Sequence, residues 1–467
     1  MSNPFVIHWF RQDLRLHDNP ALIHATAQGP VLPIYILDDY NAGPHKMGSA
    51  SRQWLHHSLR ALNKSLGGKL HIFKGDPFLI FEQLLETNTI KGIFWNRCYE
   101  PWRMTRDASL KDQLPIETIS FNGSLLWEPW QVLKGDGTPY KVFTPFYRNG
   151  CLSSEPPHTP LPSPQTLEFA SLEQSPQPVE SLGLLSPKPW SSAIMKHWHV
   201  GEQASKDKLD QFLEAELSQY KTSRDYPAKL GTSLLSPHLH FGEISPNQVW
   251  WAVRQHGSSE DHEHFLSELG WREFSNSQLF HTPTLPSKNY QKKFDAFQWS
   301  EDAKTLHCWQ KGQTGIPLVD AGMRQLWQTG FMHNRLRMVT GSLLVKNLLQ
   351  PWQTGERWFW DTLVDADLAN NSAGWQWIAG CGADAAPYFR IFNPLTQGTK
   401  FDPEGTFTRT YVPELANLPN KYLFNPWTAP EAVLSESGVH LGKTYPKPIV
   451  DLQISRQKAL EAFQALA

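Results

Sequence analysis

The chain has 467 residues, enough for two domains, and its 43 Lys and Arg nearly balance 45 Asp and Glu. The net charge of −2 at pH 7 excludes a strongly basic protein, so any nucleic-acid binding needs a local patch of cations. Four widely separated cysteines without a C-x-x-C pair argue against a disulfide framework and against a zinc site. With no signal peptide and no apolar run of about 18 residues, we expect a cytoplasmic protein without membrane spans or bound metal.

Short apolar runs alternate with helical patterns over the first 130 residues. The runs are "FVIHWF", "VLPIYIL", "KLHIF" and "GIFWN", and the segment 49–67 between two of them places its apolar residues at helical spacing. This alternation predicts a doubly wound parallel sheet with crossover helices, a Rossmann-like α/β domain over residues 1–130. Ligands on such sheets bind at the carboxyl ends of the strands.

The composition changes after this domain. Residues 131–199 are rich in Pro and Ser without periodicity, as in "LSSEPPHTPLPSPQTLEF", and predict an interdomain linker. From 200 to 467 the helical period dominates, and amphipathic helices are predicted for "DKLDQFLEAELSQY", "GIPLVDAGMRQLWQTG" and "FMHNRLRMVTGSLLVKNLL". The sequence therefore predicts an all-α carboxyl-terminal domain.

Hydroxyl side chains precede one of these helical segments. In "GTSLLSPHLHFGEIS", Thr232, Ser233 and Ser236 offer hydroxyls and backbone N–H groups that can hold a phosphate at the start of a helix. A helix N-cap is the commoner explanation of such a pattern. Taken alone, the segment favours the N-cap.

Two further helical segments gather polar and aromatic side chains on one face. Glu268, Trp271 and Arg272 share a face of "FLSELGWREFSN", and the indole beside the two charges favours a pocket wall over a solvated salt bridge. In "FMHNRLRMVTG" the shared face carries Asn334, Arg337 and Met338. That face suits an anionic, partly apolar ligand, or it is a helix with one basic edge.

The stretch "DADLANNSAGWQWIAG", residues 365–380, combines polar groups with two tryptophans. Asp365 and Asp367 are acceptors, Asn371 is both donor and acceptor, and Trp375 and Trp377 follow within two turns. Buried polar groups need partners. A polar aromatic ligand explains this concentration more simply than mutual pairing does.

Several of these segments together resemble one known family. "HWFRQDLRLHDNPAL", "WREF", "GIPLVDAGMRQLWQTGFMHNRLRM", "LANNSAGWQWIAGCGADAAPYFRIFNP" and "TQGTKFDPEGTFTR" are similar to blocks of the cryptochrome/photolyase family, and the resemblance runs from residue 5 to about 430. Within the family, the chain is similar to class I type cyclobutane pyrimidine dimer (CPD) photolyases. The carboxyl-terminal blocks are the most specific.

The resemblance implies FAD as the cofactor of the helical domain. The residues that would contact it are Tyr220, Thr232, Ser233, Leu234, Leu235, Ser236, Arg272, Arg337, Asp365, Ala366, Asp367 and Asn371. Asn371 corresponds to the residue that faces flavin N5, where photolyases carry Asn and plant and animal cryptochromes tend to carry Asp and Cys. Trp375, Trp352 and Trp299 match the family's electron chain from flavin to surface.

The resemblance also assigns a substrate pocket. Glu268, Trp271, Asn334 and Met338 would line the pocket of a flipped-out pyrimidine dimer, and Arg224 and Gln397 would contact the DNA. Photolyases for the (6-4) product carry histidines at the positions of Asn334 and Met338. Their absence here favours the cyclobutane lesion.

One segment departs from the family pattern. Members with a folate antenna in the best-known site carry Asn-Glu after the fourth strand, whereas this chain reads "NRCYEPWRMTRD", with Trp102 and Arg103 there. We expect the amino-terminal domain to bind a second, antenna chromophore. Folate in another pose, deazaflavin, a flavin, or none remain open.

The resulting expectation is a deoxyribodipyrimidine photolyase, a carbon-carbon lyase that repairs UV-damaged DNA by light-driven electron transfer from reduced FAD. The alternatives are a cryptochrome-like blue-light photoreceptor and a (6-4) photolyase. We expect a monomer without an obligate protein partner, because the DNA-binding groove has to stay open.

Overall fold

The computed structural model describes residues 4–186, 189–385 and 389–466. Packing divides the chain into two compact units, each assembled from separate stretches of sequence. The first unit comprises Met1–Ser218, Ser233–Pro283 and Val364–Ala369. The second comprises Gln219–Thr232, Thr284–Leu363 and Asn370–Ala467.

The first unit contains a five-stranded parallel sheet in the order β3-β2-β1-β4-β5. Its strands are β1 (Phe5–Phe10), β2 (Val31–Leu37), β3 (His71–Lys74), β4 (Ile90–Asn96) and β5 (Glu117–Phe121). The order reverses beside β1, as in a doubly wound fold. The predicted α/β fold with four of its strands is therefore confirmed, and β5 is an additional strand at the edge of the sheet.

Side chains alternate between the two faces of this sheet. Phe5, Ile7 and Trp9 belong to one apolar cluster, which includes Phe81. Val6 belongs to a second cluster, built largely from the helices on the other face. Because both faces are covered, the strands are apolar runs rather than apolar and polar in alternation.

Helices connect the strands and continue through the rest of the chain. They are α1 (Pro20–Gln28), α2 (Ser49–Ser65), α3 (Pro77–Thr87), α4 (Pro101–Gln113), α5 (Phe143–Pro145), α6 (Pro189–Ile194), α7 (Glu202–Ala215), α8 (Tyr220–Ser223), α9 (Ser236–Phe241), α10 (Pro246–His256), α11 (Glu260–His281), α12 (Ala303–Gln310), α13 (Pro317–Thr329), α14 (Asn334–Ser342), α15 (Trp352–Thr362), α16 (Leu368–Ala379), α17 (Pro394–Phe401), α18 (Thr406–Tyr411), α19 (Asn420–Leu423), α20 (Glu431–Glu436) and α21 (Leu452–Gln464). Two π-helical turns, Phe146–Gly150 and Leu343–Asn347, extend α5 and α14. The helical character predicted after residue 200 is confirmed.

Local sequence signals place several helix starts. Asp76 Oδ1 accepts from the backbone N–H of Phe78 at the start of α3, and Ser245 with Gln248 forms a capping box on α10. Pro follows the cap in both helices, where its missing N–H costs nothing.

The proline-rich stretch after β5 is anchored on the first unit. His158 Nε2 lies 3.1 Å from Asp18 Oδ1, whose carboxylate also accepts from the backbone N–H of Leu161 (2.9 Å). Phe169 forms a parallel bridge with Val31 beside the sheet. The domain boundaries after residues 130 and 199 stay a prediction. Within the described residues, no helix combines the length and hydropathy that crossing a membrane requires.

Candidate functional site

One hydroxyl of the predicted segment contacts one of the two aspartates in the first unit. Ser236 begins α9, and its Oγ donates to Asp365 Oδ2 at 2.6 Å. Ser233 Oγ accepts from the backbone N–H of Leu235 at 3.4 Å. The segment therefore acts both as a helix start and as a partner of Asp365, which joins two of the predicted cofactor segments.

Leu234 adopts a backbone conformation that side chains rarely take. Its φ is +53°, in the left-handed region that favours glycine, and no glycine stands there. Such strain costs about 1 kcal/mol or more and persists where the surroundings fix the chain. Leu234 lies in the predicted cofactor segment, but no sequence pattern indicated its left-handed backbone conformation.

Arg272 and Asp367 line one cleft of the first unit. The other lining residues are Gln12, Cys98, Tyr99, Glu100, Ser124, Leu125, Leu239, His240, Asn276, Leu279 and Ala369. Arg272 Nη1 donates to Glu273 Oε1 (3.2 Å), and its guanidinium forms no other hydrogen bond within the described residues. The remaining N–H donors suit an anionic group such as a diphosphate.

Glu273 is a buried carboxylate beside this cleft. Its side chain is only 1% exposed, and Oε2 accepts from the backbone N–H groups of Leu126 (3.0 Å) and Trp127 (3.2 Å). Burial raises the pKa of Glu273 to about 7, although Arg272 and the two N–H groups lower it. Sequence reasoning did not identify this residue.

Trp271 lies at the end of a stack of aromatic rings. Its indole is stacked on Phe143, with centroids 3.8 Å apart and an interplanar angle of 10°, and Phe143 is stacked in turn on Tyr147 (5.6 Å). Phe143 and Tyr147 are buried and Trp271 is half-buried. The stack fixes the plane of an indole, which suits base stacking. Glu268 is half-buried one turn earlier on α11.

Asn371 and Glu356 form a buried pair in the second unit. Asn371 Nδ2 donates to Glu356 Oε1 (2.9 Å) and to the backbone oxygen of Glu356 (3.1 Å). Because that backbone oxygen can only accept, the amide nitrogen faces Glu356 and the amide oxygen is left for another partner. Burial raises the pKa of Glu356 to about 7, while the bond from Asn371 lowers it. The sequence singled out Asn371 and missed Glu356.

The tryptophans of the predicted electron chain lie in the second unit. Trp375 and Trp352 are buried and Trp299 is half-buried. Trp375 packs closely on α15, since a Cβ on Gly355 would come within 2.1 Å of its indole. Trp352 Nε1 donates to Asn289 Oδ1 at 2.8 Å. No ring contact joins two of the three within the described residues, and the chain of electron transfer stays a prediction.

The predicted substrate residues of the second unit begin on α14. Asn334 is exposed at the start of this helix, and Met338 is half-buried one turn later. Arg337 is half-buried, and its Nε donates to the backbone oxygen of Met332 at 2.8 Å. Asn334 and Met338 therefore share a face, as their spacing predicts.

Arg224 and Gln397 are the predicted DNA contacts. The Arg224 guanidinium lies 5.3 Å from the ring centroid of Tyr220, one turn earlier. Gln397 is half-buried on α17, and its Oε1 accepts no hydrogen bond within the described residues. A buried acceptor without a donor is a group that a ligand can satisfy.

A second pocket lies at the carboxyl ends of β1 and β2. It is lined by Trp9, Arg11, Tyr35, Ile36, Asp38, Asp39, Ala42, His45, Met47, Trp102, Arg103 and Arg106. The buried indole N–H groups of Trp9 and Trp102 and the Nε–H of Arg11 have no acceptor within the described residues. The Arg103 guanidinium lies 4.6 Å from the Trp102 ring. We name this the strand-end pocket.

The predicted cofactor residues thus lie in both units, and only some of them contact one another or share a cleft. In the first unit, Ser236 contacts Asp365, and Arg272 shares a cleft with Asp367. In the second unit, Asn371 pairs with Glu356. Within the described residues, no group of three or more His, Cys, Asp or Glu side chains is arranged to hold a metal ion.

Two family models match the chain. The DNA photolyase model matches residues 6–165, and the model for the FAD binding domain of DNA photolyase matches residues 265–465. A deoxyribodipyrimidine photo-lyase of Agrobacterium fabrum is 48% identical, with 99% of this chain and 98% of that protein covered. The chain belongs to the photolyase and cryptochrome family. The predicted family and the predicted FAD-binding helical domain are confirmed.

The other relatives include a cryptochrome and two photolyases of known structure. Cryptochrome-2 of Arabidopsis thaliana is 38% identical over 98% of this chain and 78% of its own length. The crystal structure of a bacterial class III photolyase from Agrobacterium tumefaciens has a TM-score of 0.95 at 47% identity and covers 100% of this chain and 98% of its own. An archaeal photolyase from Sulfolobus tokodaii, solved with two FAD molecules, has a TM-score of 0.81 at 28% identity, over 99% and 100% of the two chains.

Proposed function

We propose that the chain is a photolyase that repairs cyclobutane pyrimidine dimers in DNA. The observation that carries the proposal is the half-buried Trp271, which is stacked on Phe143 and lies next to Arg272 on α11. A fixed indole offers a flat surface to the two joined bases of a flipped-out dimer. The 48% identical relative is named a deoxyribodipyrimidine photo-lyase, which supports the same activity.

We propose class III as the type of photolyase. The sequence motifs suggest the class I type, but the solved relative at 47% identity is described as a class III enzyme. Coverage of 100% of this chain and 98% of that one at this identity favours the class III type.

The proposed reaction depends on FAD. When bound, reduced and excited by blue light, FAD supplies one electron to the dimer and receives it back after the two cyclobutane bonds break. The chain contributes binding and orientation. Among the described residues, Arg272 keeps N–H donors for an anionic group, and the Asn371 amide oxygen is left to accept from a flavin N–H. These donors and acceptors fit a flavin nucleotide.

On the substrate side, the proposed roles follow side-chain chemistry. Trp271 and Met338 pack against the bases, Glu268 accepts hydrogen bonds from them, and Asn334 offers a neutral amide. Arg224 and Gln397 contact the DNA strand, with Arg224 at phosphate. Trp375, Trp352 and Trp299 carry electrons to the flavin from the surface when it is oxidised.

We also propose an antenna chromophore in the strand-end pocket. Among the described residues, the buried N–H groups of Trp9, Trp102 and Arg11 have no acceptor, and the ring carbonyl oxygens of a pterin or flavin are acceptors that could satisfy them. The pocket lies at the carboxyl ends of parallel strands, where ligands of such sheets bind. The Sulfolobus relative with two FAD molecules supports a second chromophore in this family. Its chemical identity here stays open among folate, deazaflavin and flavin.

A blue-light photoreceptor is the second candidate function, supported by the 38% identity to cryptochrome-2 of Arabidopsis thaliana. Damaged DNA is the proposed partner of the enzyme, and we propose a monomer without an obligate protein partner. We propose the cytoplasm as its location, in keeping with four free cysteines.

A lesion comparison tests the proposal. Purified protein with reduced FAD is incubated with oligonucleotides that carry either one thymine dimer or one (6-4) product, in the dark and under blue light. Restored thymines from the dimer, only under light, are the expected result. Repair of only the (6-4) product would reassign the substrate, and flavin bands without repair of either lesion would favour the photoreceptor.

A further inference from the structure

The carboxylate of Glu273 forms hydrogen bonds to two segments that line the cleft of Arg272, helix α11 and the loop after β5. Glu273 Oε1 accepts from Arg272 Nη1 (3.2 Å), while Oε2 accepts from the backbone N–H groups of Leu126 (3.0 Å) and Trp127 (3.2 Å). Ser124 and Leu125, just before these two residues, line the same cleft as Arg272. The side chain of Glu273 therefore connects a cofactor-binding arginine with the loop after β5.

That loop, residues 122–128, is itself firmly held. Asn122 Oδ1 accepts from the backbone N–H of Leu125 (3.1 Å) and lies 3.3 Å from the Tyr99 hydroxyl oxygen. The same hydroxyl donates to Glu128 Oε1 (2.8 Å), which also accepts from Arg97 Nε (2.6 Å). Because these hydrogen bonds hold the loop, they also help to hold a side chain that is bonded to its backbone.

The charge of Glu273 argues against a role in simple packing. Burial raises its pKa to about 7, so the ionised form at higher pH depends on Arg272 and the two N–H groups. A buried carboxylate is costly unless its partners are in place. An apolar or amide side chain would fill the same volume without this cost.

We propose that Glu273 is a positioning residue for FAD binding, which holds Arg272 and the loop 122–128 in the arrangement that receives the anionic part of the cofactor. The inference rests on the flavin site proposed above. It assigns no contact between Glu273 and FAD, since the carboxylate acts through Arg272 and through the backbone of the loop.

Substitution of Glu273 by Gln separates this role from a purely electrostatic one. Loss of a negative charge near an anion-binding arginine would by itself tighten FAD binding. A positioning role predicts the opposite sign. The amide oxygen of Gln can still accept from the two backbone N–H groups. Its NH2 group then faces Arg272 Nη1, so that two hydrogen-bond donors oppose each other and the guanidinium has to move. We expect Glu273→Gln to raise the Kd for FAD about tenfold, the scale of one charge-assisted hydrogen bond.

A double-mutant cycle on the FAD-depleted protein tests the mechanism. FAD is titrated into wild type, Glu273→Gln, Arg272→Lys and the double variant, and Kd is read from flavin fluorescence. If Glu273 acts through Arg272, the double variant binds FAD several-fold more tightly than the product of the single effects predicts. Glu128→Gln is the matched control. It removes a buried carboxylate of the same loop whose partners are Arg97 and Tyr99 rather than Arg272. The factors by which Glu128→Gln and Arg272→Lys change the Kd for FAD should simply multiply in the double variant.

Protonation of Glu273 gives a test without mutation. The charged and titratable side chains that act on it are Arg272 on α11 and the Cys151 thiol, whose pKa burial raises. Lowering the pH from 8 to 6 protonates Glu273, so wild type should lose FAD affinity, and Glu273→Gln should show less of this dependence. Glu273→Asp keeps the charge with a shorter reach, and should bind FAD with an intermediate Kd.

The outcomes separate this inference from the proposed function. An unchanged or lower Kd in Glu273→Gln, or independent effects of the Glu273 and Arg272 substitutions, would overturn the positioning role while leaving the photolyase intact. Wild type that binds no FAD would overturn both. Because the neutral carboxyl already exists in wild type below about pH 7, the Gln variant is expected to fold.

Discussion

Each compact unit contains a buried glutamate that fixes a predicted cofactor residue, yet the two glutamates have different partners. Glu273 accepts from a guanidinium and from two backbone N–H groups, whereas Glu356 accepts from the amide of Asn371. Burial raises the pKa of both to about 7. The first arrangement places a cation for an anionic ligand, and the second orients a neutral amide.

This difference suggests a division of tasks. We propose that residues around Arg272 determine how tightly FAD is held, because charge-assisted hydrogen bonds to phosphate are stronger than neutral ones. We propose that residues around Asn371 and Trp375 determine what light does to the bound flavin. Five substitutions test this comparison, and they follow in order of decreasing expected effect.

Trp375→Phe should abolish photoreduction of oxidised FAD while FAD stays bound. Phenylalanine fills most of the space against Gly355 but is much harder to oxidise than an indole. Flavin absorbance under blue light with an external reductant measures the effect. Trp130→Phe, at a partly exposed tryptophan of the first unit, is the control and should behave like wild type. Loss of FAD from Trp375→Phe would mean that this tryptophan is mainly structural.

Arg272→Ala should weaken FAD binding about fiftyfold, because about 2 to 3 kcal/mol of charge-assisted hydrogen bonding is lost. It also leaves Glu273 without its cation. Titration of the FAD-depleted variant measures Kd. The FAD that remains bound should be photoreduced at the wild-type rate. A slower rate per bound flavin would mean that Arg272 also affects the photochemistry, against the proposed division of tasks.

Glu356→Gln should stabilise the FAD-free protein at high pH. The pKa of Glu356 rises from 4.5 to about 7 on folding, so the folded protein retains a proton that the unfolded chain releases between these values. The free energy of unfolding therefore falls as pH rises through this window. At pH 8 the variant should be more stable by about 2 kcal/mol, and it should lack this pH dependence in urea unfolding.

The same unfolding experiment applies to Glu273→Gln. The pKa of Glu273 also rises to about 7 on folding, so the loss of its charge alone would stabilise the variant at pH 8 as for Glu356→Gln. The Gln amide N–H, however, faces the Arg272 N–H, so the variant should gain no stability at pH 8 or lose about 1 kcal/mol. Equal stabilisation of both Gln variants would show that the partners of the two glutamates do not matter.

Leu234→Gly is expected to have the smallest effect. Glycine relieves the strain at φ +53°, by about 1 kcal/mol, but loses side-chain contacts and increases the entropy of the unfolded chain by a similar amount. The free energy of unfolding should change by less than about 1 kcal/mol. Leu235→Gly is the matched control, because Leu235 is buried and its φ of −83° is unstrained. This variant should lose about 3 kcal/mol or more of the free energy of unfolding.

The sequence predicted the regular parts of the fold because their signals are local. The runs that become β1 and β2 are continuous and apolar, as strands buried on both faces must be. β5 was missed because an edge strand is only partly buried, and Glu117–Phe121 mixes polar with apolar residues. The strained φ of Leu234 has no signature in residue type.

The candidate site divides in the same way. Arg272 and Asn371 could be selected because they lie in distinctive local motifs. The glutamates that support them could not be selected. Glu273 accepts a hydrogen bond from the backbone N–H of Leu126, which is 147 positions away in the sequence. Glu356 lies 15 positions before Asn371, and this separation matches neither the helical nor the strand period. Phe143, the ring beneath Trp271, lies in a segment that reads as linker. Contacts of this kind depend on the packing of distant segments.

We propose that this chain repairs a cyclobutane dimer with an electron from its own reduced flavin. The most direct test is single-turnover repair of an oligonucleotide with one thymine dimer, after chemical reduction of the flavin, counted as dimers repaired per bound FAD with and without blue light. We predict light-dependent repair by wild type, equal repair by Trp375→Phe, and about tenfold weaker repair by Glu268→Ala with FAD retained. Equal dimer loss in the dark, or none under light by FAD-loaded wild type, would contradict the claim.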